Sequence, residues 1–310
     1  MVLIQGASPL LIDSGFGSDI DVTEALLRST GTPPQEITLL ANTHYHCDHV
    51  GGNATLQERY RLPIAAHAWD TALINRRDAE ACSAAWLNQP VELYIVTKPL
   101  QDGDWIETGT TSVQVLHTPG HTLGHLSFYL PAEGILICGD AVHGDDVGWL
   151  NQFREGTGAL DRAIASLDRL AALPARWACS GHGAAFTDVA PALERARTRY
   201  VTWRTQPEKL AWHACKRIST YALMISGGLA ADNVAPYFCA CGWFRDYAQT
   251  YFHLAPADFV APLVSELVRA NAAYWQDGRL VAVAPFTPPA PGWLQRSTFS
   301  HKAPGGETSP

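Results

Sequence analysis

Thr43-His44-Tyr45-His46-Cys47-Asp48-His49-Val50-Gly51-Gly52 puts three imidazoles and one carboxylate within six residues, directly after the apolar run Ile37-Thr38-Leu39-Leu40-Ala41. Packed cores rarely tolerate such a density of polar, metal-ligating side chains. Side chains two apart in an extended segment project to the same side, so His44 and His46 can grip one metal ion. The chain then turns and sends Asp48 and His49 toward another. One short loop can therefore serve two metals.

Around this loop, short apolar runs alternate with longer amphipathic ones. Residues 10–13 read as a strand stopped at Ser14-Gly15-Phe16-Gly17, and residues 21–30 as a helix. A strand over 37–41 and a helix over 53–60 follow. Further strands are expected at 64–66, 112–117, 126–130, 134–138 and 177–179, with a helix over 160–173. Interleaved strands and helices define an α/β layer architecture. Each candidate ligand falls just past a strand: His44 and His46 after Ala41, His121 after His117, Asp140 after Cys138, and His182 after Cys179. Loops at strand ends bring such residues together in space.

Residues 1–189 form the expected catalytic domain. Residues 190–284 change character to mostly helical, with helices expected at 195–203, 207–226, 232–238, 245–252 and 256–275 before a turn and short strand at 277–283. That pattern suits a winged-helix-like accessory domain. The Pro/Gly-rich tail, 285–310, is expected to be extended or disordered.

Bulk properties narrow the class. With 310 residues, 47% of them hydrophobic, the chain can bury a sizeable core and divide into more than one domain. Its seven cysteines are an odd, scattered set without zinc-finger spacing, which suits a reducing compartment. The first residues carry no leader-like pattern and no run reaches ~18 apolar residues, so a cytoplasmic protein without a membrane segment is expected. The sequence also opens almost inside a strand, so an upstream strand is expected to be missing or short. The net charge of −8 is uneven, at −12 over residues 1–189, +3 over 190–284 and +1 over the tail. A weakly basic region of that kind does not by itself argue for nucleic acid.

Leu11-Ile12-Asp13-Ser14-Gly15, the His44-x-His46-x-Asp48-His49 block with Gly51-Gly52, Thr118-Pro119-Gly120-His121-Thr122, Gly139-Asp140 and Ser180-Gly181-His182-Gly183 occur in one order over about 180 residues. In these the chain resembles the metallo-β-lactamase-fold superfamily, and within it the glyoxalase-II-like branch with a helical or winged C-terminal extension. The resemblance implies a four-layer αββα sandwich with two metals at its edge. It implies that His44, His46 and His121 hold the first, that Asp48, His49 and His182 hold the second, and that Asp140 bridges them.

The chemistry of the residue types agrees. Zinc takes imidazole nitrogen and carboxylate oxygen at about four positions, and a catalytic site leaves one for water. Two ions ~3.5–4 Å apart can share a hydroxide and polarise a carbonyl oxygen. Zn2+ is the expected metal, with Fe or Mn as alternatives. Asp48 and Asp140 are the expected catalytic carboxylates, Asp48 orienting the hydroxide and protonating the leaving group. Asp13 is a candidate support of the ligand loop, although it could equally cap its own turn. His143, Trp149 and Asn151 are candidate substrate contacts. Residues 82–105, with Trp86 and Tyr94, are a candidate lid; His67, His117 and His125 are expected to be structural.

Hydrolysis of a small ester, thioester or lactone is the leading expectation, with an acyl-bearing small molecule as the partner and a homodimer left open. Competing readings are an RNA or phosphodiester hydrolase, a mononuclear-iron persulfide dioxygenase using His44, His121 and Asp140, a β-lactam hydrolase, and a non-catalytic ligand sensor. Arg195, Arg197, Arg199 and Lys216 are available to meet glutathione carboxylates, without a motif that fixes them there.

Overall fold

In the computed structural model, residues 1–290 and 292–295 are described. Two five-stranded sheets carry the first part of the chain. Strands β1 (Val2–Ile4), β2 (Leu10–Ile12), β3 (Leu39–Ala41), β4 (Ile64–His67) and β5 (Lys98–Leu100) lie in sequential order, β1 antiparallel to β2 and the rest parallel. The second sheet runs β10-β9-β8-β7-β6, from β6 (Trp105–Glu107), β7 (Ser112–His117), β8 (Leu126–Leu130), β9 (Ile135–Gly139) and β10 (Trp177–Ser180). Its β9–β10 pair is parallel and its other pairs are antiparallel.

The period of two in each strand decides which layer a residue enters. Leu10, Ile12, Leu39, Ala41 and Ala65 meet Val113, Val115, Phe128 and Ile137 between the sheets. Leu11, Leu40, Ile64 and Ala66 face the other way, into a core with Ile20, Leu27 and Leu56. Those three come from α1 (Ile20–Ser29) and α3 (Asn53–Tyr60), the short α2 (Cys47–Val50) lying between them in sequence. Behind the second sheet, α6 (Ala159–Ala171) buries Leu160, Ala163, Ile164, Leu167 and Leu170, an apolar stripe at helical spacing. Before it come α4 (Ala68–Asn75) and α5 (Ala84–Leu87). The result is helix, sheet, sheet, helix. Full burial of each Leu, Ile or Phe contributes roughly 1.5–3 kcal/mol relative to exposure.

The C-terminal part holds α7 (Val189–Trp203), α8 (Pro207–Ile225), α9 (Ala231–Ala240), α10 (Gly242–Thr250) and α11 (Pro256–Arg269). A small sheet, ordered β11-β13-β12, joins β11 (Leu229–Ala230), β12 (Ala273–Gln276) and β13 (Arg279–Ala282). This order of helix, short strand, helices and hairpin is winged-helix-like.

Four expectations change. The last long helix ends at Arg269 rather than Trp275, because Asn271 takes a left-handed conformation (φ 52°) and the chain resumes as β12. Residues 190–203, expected in the accessory part, pack with the first lobe, since Leu193, Ala196 and Tyr200 of α7 share the core of α6. Residues 82–105 are no lid: Trp86 and Leu87 are buried among Phe238, Trp243, Phe244 and Tyr247 of the helical part, and Tyr94 is buried in the first lobe. The first part of the tail is not free. Trp293 is buried on Phe16, with ring centroids 4.5 Å apart, and the Ala290 N–H donates to Ser18 Oγ (2.8 Å). Pro291 and residues 296–310 lie outside the described residues.

Candidate metal centre

Three imidazole nitrogens converge above the end of β3. His44 Nε2 and His46 Nδ1 are 3.1 Å apart, His46 Nδ1 and His121 Nε2 2.8 Å, and His121 Nε2 and His44 Nε2 3.2 Å. The other ring atoms decide what these nitrogens present. His121 Nδ1 meets the Trp149 carbonyl, which only accepts, so Nδ1 carries the proton and Nε2 offers a lone pair. The Thr43 hydroxyl donates to Asp13 Oδ2 (2.8 Å), which leaves its oxygen to accept from His44 Nδ1 (3.1 Å). His44 Nε2 therefore offers a lone pair as well. Lone pairs facing one point repel each other unless a cation lies between them, so the donor set fits a metal ion.

The second group is built likewise. His49 Nδ1 donates to Asp13 Oδ2 (2.9 Å), turning Nε2 toward Asp140 Oδ1 (3.3 Å) and Asp48 Oδ2 (3.9 Å). His182 Nε2 lies 3.3 Å from Asp48 Oδ2 and 3.4 Å from Asp140 Oδ2. Asp140 Oδ2 is also 3.7 Å from His121 Nε2. Asp140 thus stands between the two groups. His49 Nε2 and Asp140 Oδ1 are buried without a hydrogen-bond partner, as atoms reserved for a cation are. His44, His46 and His121 form one candidate ligand group, His44, His49 and Asp140 a second, and Asp48, His49 and His182 a third.

Electrostatics separate the groups. Burial, reinforced by neighbouring imidazoles, holds His44 and His46 well below the ordinary histidine range. Burial opposes a charge on His49, but Asp140, Asp48 and Asp13 outweigh it and push it up to about 10. His182 is pushed up to about 11, by Asp140 first and then by hydrogen bonds to Asp140 and Asp48 against burial. Burial raises Asp48, yet His49 and His182 win and hold its carboxyl well below the usual carboxylate range. A buried site that keeps its carboxylates ionised attracts cations.

The floor of the site depends on residues to which sequence reading gave no role in the site. The Asp140 N–H donates to His125 Nε2 (3.1 Å), so His125, expected to be structural, fixes the backbone that carries Asp140. A Cβ on Gly181 would stand 2.2 Å from Asp140 Oδ1 and 2.6 Å from His49 Cε1, so only glycine lets the His182 loop pass. Glu155 straps two ligand loops together: it accepts from Tyr45 O–H (2.9 Å), between His44 and His46, and from Leu123 N–H (2.6 Å), just beyond His121. Of these only Gly181, adjacent to His182 in a Ser-Gly-His-Gly run, carried a local signal.

The remaining candidates divide. Asp13, at φ 61°, also accepts the Thr43 N–H at Oδ1 (2.7 Å) and lies directly behind the ligand loop. Trp149 stacks on His46, with centroids 5.2 Å apart, so its ring covers one face of that candidate ligand. His143 lies at the mouth, 5.5 Å from the His182 ring, pushed down to about 4 by burial and therefore neutral at neutral pH. Asn151 is fully buried, and its side-chain oxygen accepts the Arg154 N–H (3.1 Å), so it lies enclosed rather than on the rim.

The basic residues offered for substrate carboxylates are engaged elsewhere. Arg195 pairs with Asp188, Arg197 with Asp168, Arg199 with Asp146 and Lys216 with Glu266. Arg217 and His213 of α8 also meet Asp146, whose backbone carbonyl accepts the His143 N–H (2.9 Å).

Two sheets with ligands at their strand ends and paired donor groups define a metal-binding lobe of one family. Residues 1–182 match the family model described as the Metallo-beta-lactamase superfamily, more than half of the chain, and the chain belongs to that superfamily. Hydroxyacylglutathione hydrolase of Maricaulis maris (strain MCS10) is 34% identical over 164 residues, covering 52% of this chain and 55% of that protein. The protein of the same name from Dechloromonas aromatica (strain RCB) is 34% identical over 173 residues, 56% of this chain and 52% of that one. The chain thus spans about half the length of the curated relatives it matches. A metallo-beta-lactamase family protein of Thermus thermophilus shares the fold at 23% identity, with a TM-score of 0.57 over 90% of this chain and 92% of that one.

Proposed function

We propose that the chain is a metal-dependent hydrolase that cleaves a small thioester. The carrying observation is Asp140, with one oxygen toward His49 and the other toward His121 and His182. In this reading His44, His46 and His121 hold one divalent ion, Asp48, His49 and His182 hold the other, and Asp140 serves both, with zinc as the metal. Such a pair supplies an acidified water and polarises a carbonyl oxygen. The kinship with hydroxyacylglutathione hydrolases supports a thioester over other carbonyl substrates.

Within the site, Asp48 has the task of moving a proton. Its carboxylate sits on the accessible side beside His182 and can take a proton from the attacking water and pass it to the leaving group. A departing thiol has a pKa of about 8.5, so it demands less of that acid than an alcohol does. The Trp149 ring shields the His46 side from water. His143, neutral with its Nδ1 buried and unpartnered, is placed to hydrogen-bond the substrate. All seven cysteines are free, which supports a reducing, cytoplasmic setting. Among the described residues no helix is long and apolar enough to cross a membrane.

The test is a panel of thioester, ester, lactone, β-lactam and phosphodiester substrates with chelated and zinc-reloaded protein. Thioester turnover that chelation removes and zinc restores is expected. Turnover of the phosphodiester or the β-lactam alone contradicts the reading.

A further inference from the structure

Between β9 and α6 the chain runs from Asp140 to Gly158 without helix or strand. The inner side of this segment faces the candidate ligands. Asp140 stands between the two groups, the Trp149 carbonyl accepts from His121 Nδ1, the Trp149 ring stacks on His46, and the His143 ring lies 5.5 Å from that of His182. A segment without a helix or sheet ladder of its own takes its position from the groups that satisfy its backbone.

The outer side shows which groups those are. From α7, Arg195 donates to the Gly144 carbonyl (2.8 Å), Arg199 to the Asp145 carbonyl (3.1 Å) and the Tyr200 hydroxyl to the Gly148 carbonyl (2.7 Å). Asp146 is where α7 and α8 both attach. Its carboxylate pairs with Arg199 of α7, with Arg217 of α8, and with His213 Nε2 (3.3 Å), one helical turn before Arg217. Burial pushes His213 down to about 3, so that ring is neutral and donates its Nε2–H. Asp146 also holds His143, whose N–H donates to the Asp146 carbonyl (2.9 Å). The turn from His143 to Asp146 is thus closed by the backbone of the residue that the helices grip by its side chain.

An isolated exposed ion pair fixes little. Here a single carboxylate, its side chain only 20% exposed, receives two guanidinia and an imidazole from two helices, so its place is set from several directions. What it sets lies at the mouth of the site. His143 Nδ1 is buried without a partner, and the Arg217 charge acts on His143 as that of Asp140 acts on Arg217.

We propose that Asp146 is a positioning residue of the site: by gathering Arg199, Arg217 and His213 it sets the turn from His143 to Asp146, and with it the place of the imidazole that meets the substrate. The proposal rests on the reading of His143 as a substrate contact. Its test is a double-mutant cycle on the zinc-loaded full chain with S-acetyl-N-acetylcysteamine, an uncharged thioester, so that no loss comes from an ion pair to the substrate. Asp146→Asn keeps the size of the side chain and is expected to lower kcat/KM about tenfold or more, with zinc content unchanged. In a His143→Ala background the same change is expected to cost less than about twofold. Equal losses in both backgrounds overturn the proposal. Amide hydrogen exchange reads the turn without turnover. Asp146→Asn, and Arg217→Gln at a half-exposed position, are each expected to lower protection of the His143 amide about tenfold, while the Asp140 amide on His125 keeps its protection. Lost protection at His143 supports the positioning role even if no thioester is cleaved, and unchanged protection in both variants refutes it.

Discussion

Asp13→Asn isolates the hydrogen bond that selects the proton position on His49. The Asp13 carboxylate accepts from Thr43 N–H, Thr43 O–H and His49 Nδ1–H, at 2.7, 2.8 and 2.9 Å, in a buried setting. Asparagine tolerates the left-handed backbone there (φ 61°) and keeps one accepting oxygen, so the loop can still form. If that oxygen stays on Thr43, the new NH2 faces His49 Nδ1 and favours the tautomer with its proton on Nε2. The lone pair aimed at Asp140 and Asp48 is then lost. Metal affinity of the second group is expected to fall about 10–100-fold. Stability of the chelated protein should drop about 1–3 kcal/mol for the mismatched buried donor. His121 takes its tautomer from the Trp149 carbonyl, and His44 feels Asp13 only through the Thr43 hydroxyl, so the first group should lose less affinity than the second. Competition titration with a chromophoric chelator resolves the two sites, and urea unfolding gives the stability. Equal weakening of both sites, or no weakening of either, refutes the tautomer argument.

Gly181→Ala places a methyl 2.2 Å from Asp140 Oδ1, and a displacement of that order at a reacting centre should lower kcat about 100-fold in a steady-state assay. The thermal midpoint should move far less than the activity. Glu155, raised by burial from an ordinary 4.5 to about 7, is stabilising while protonated. That contribution is complete below pH 4.5 and disappears as pH rises through 7, so the advantage of wild type over Glu155→Gln should shrink by on the order of 3 kcal/mol across that window in urea melts. A pH-independent difference contradicts it. Trp86→Ala should destabilise the chain by about 3–5 kcal/mol, because its ring is core and its Nε1–H donates to Asp246 Oδ2 (2.6 Å). If residues 82–105 were a lid, urea melts would show little loss and KM would change instead.

The ligand loop was legible because its order is local. His44, His46, Asp48 and His49 share one turn, and His121, Asp140 and His182 each follow a strand whose alternation shows in the sequence. Even Asp13 could be marked as a support, since it ends a strand beside a turn. Long-range partners leave no such trace. Trp86 reads as a loop aromatic until Phe238, Trp243 and Tyr247 close over it from the helical part, and Asn151 reads as a rim residue although it is fully enclosed. The tail hides its role for the same reason. Proline and glycine there report backbone preference, while the partner that orders Trp293 is Phe16, at the opposite end of the chain.

The metal content of the protein purified without added metal tests the central claim most directly. Elemental analysis should find two zinc-type equivalents per chain, falling to one in His182→Ala, whose exposed side chain leaves the fold intact. A single equivalent in wild type, or a single iron, contradicts the two-ion site.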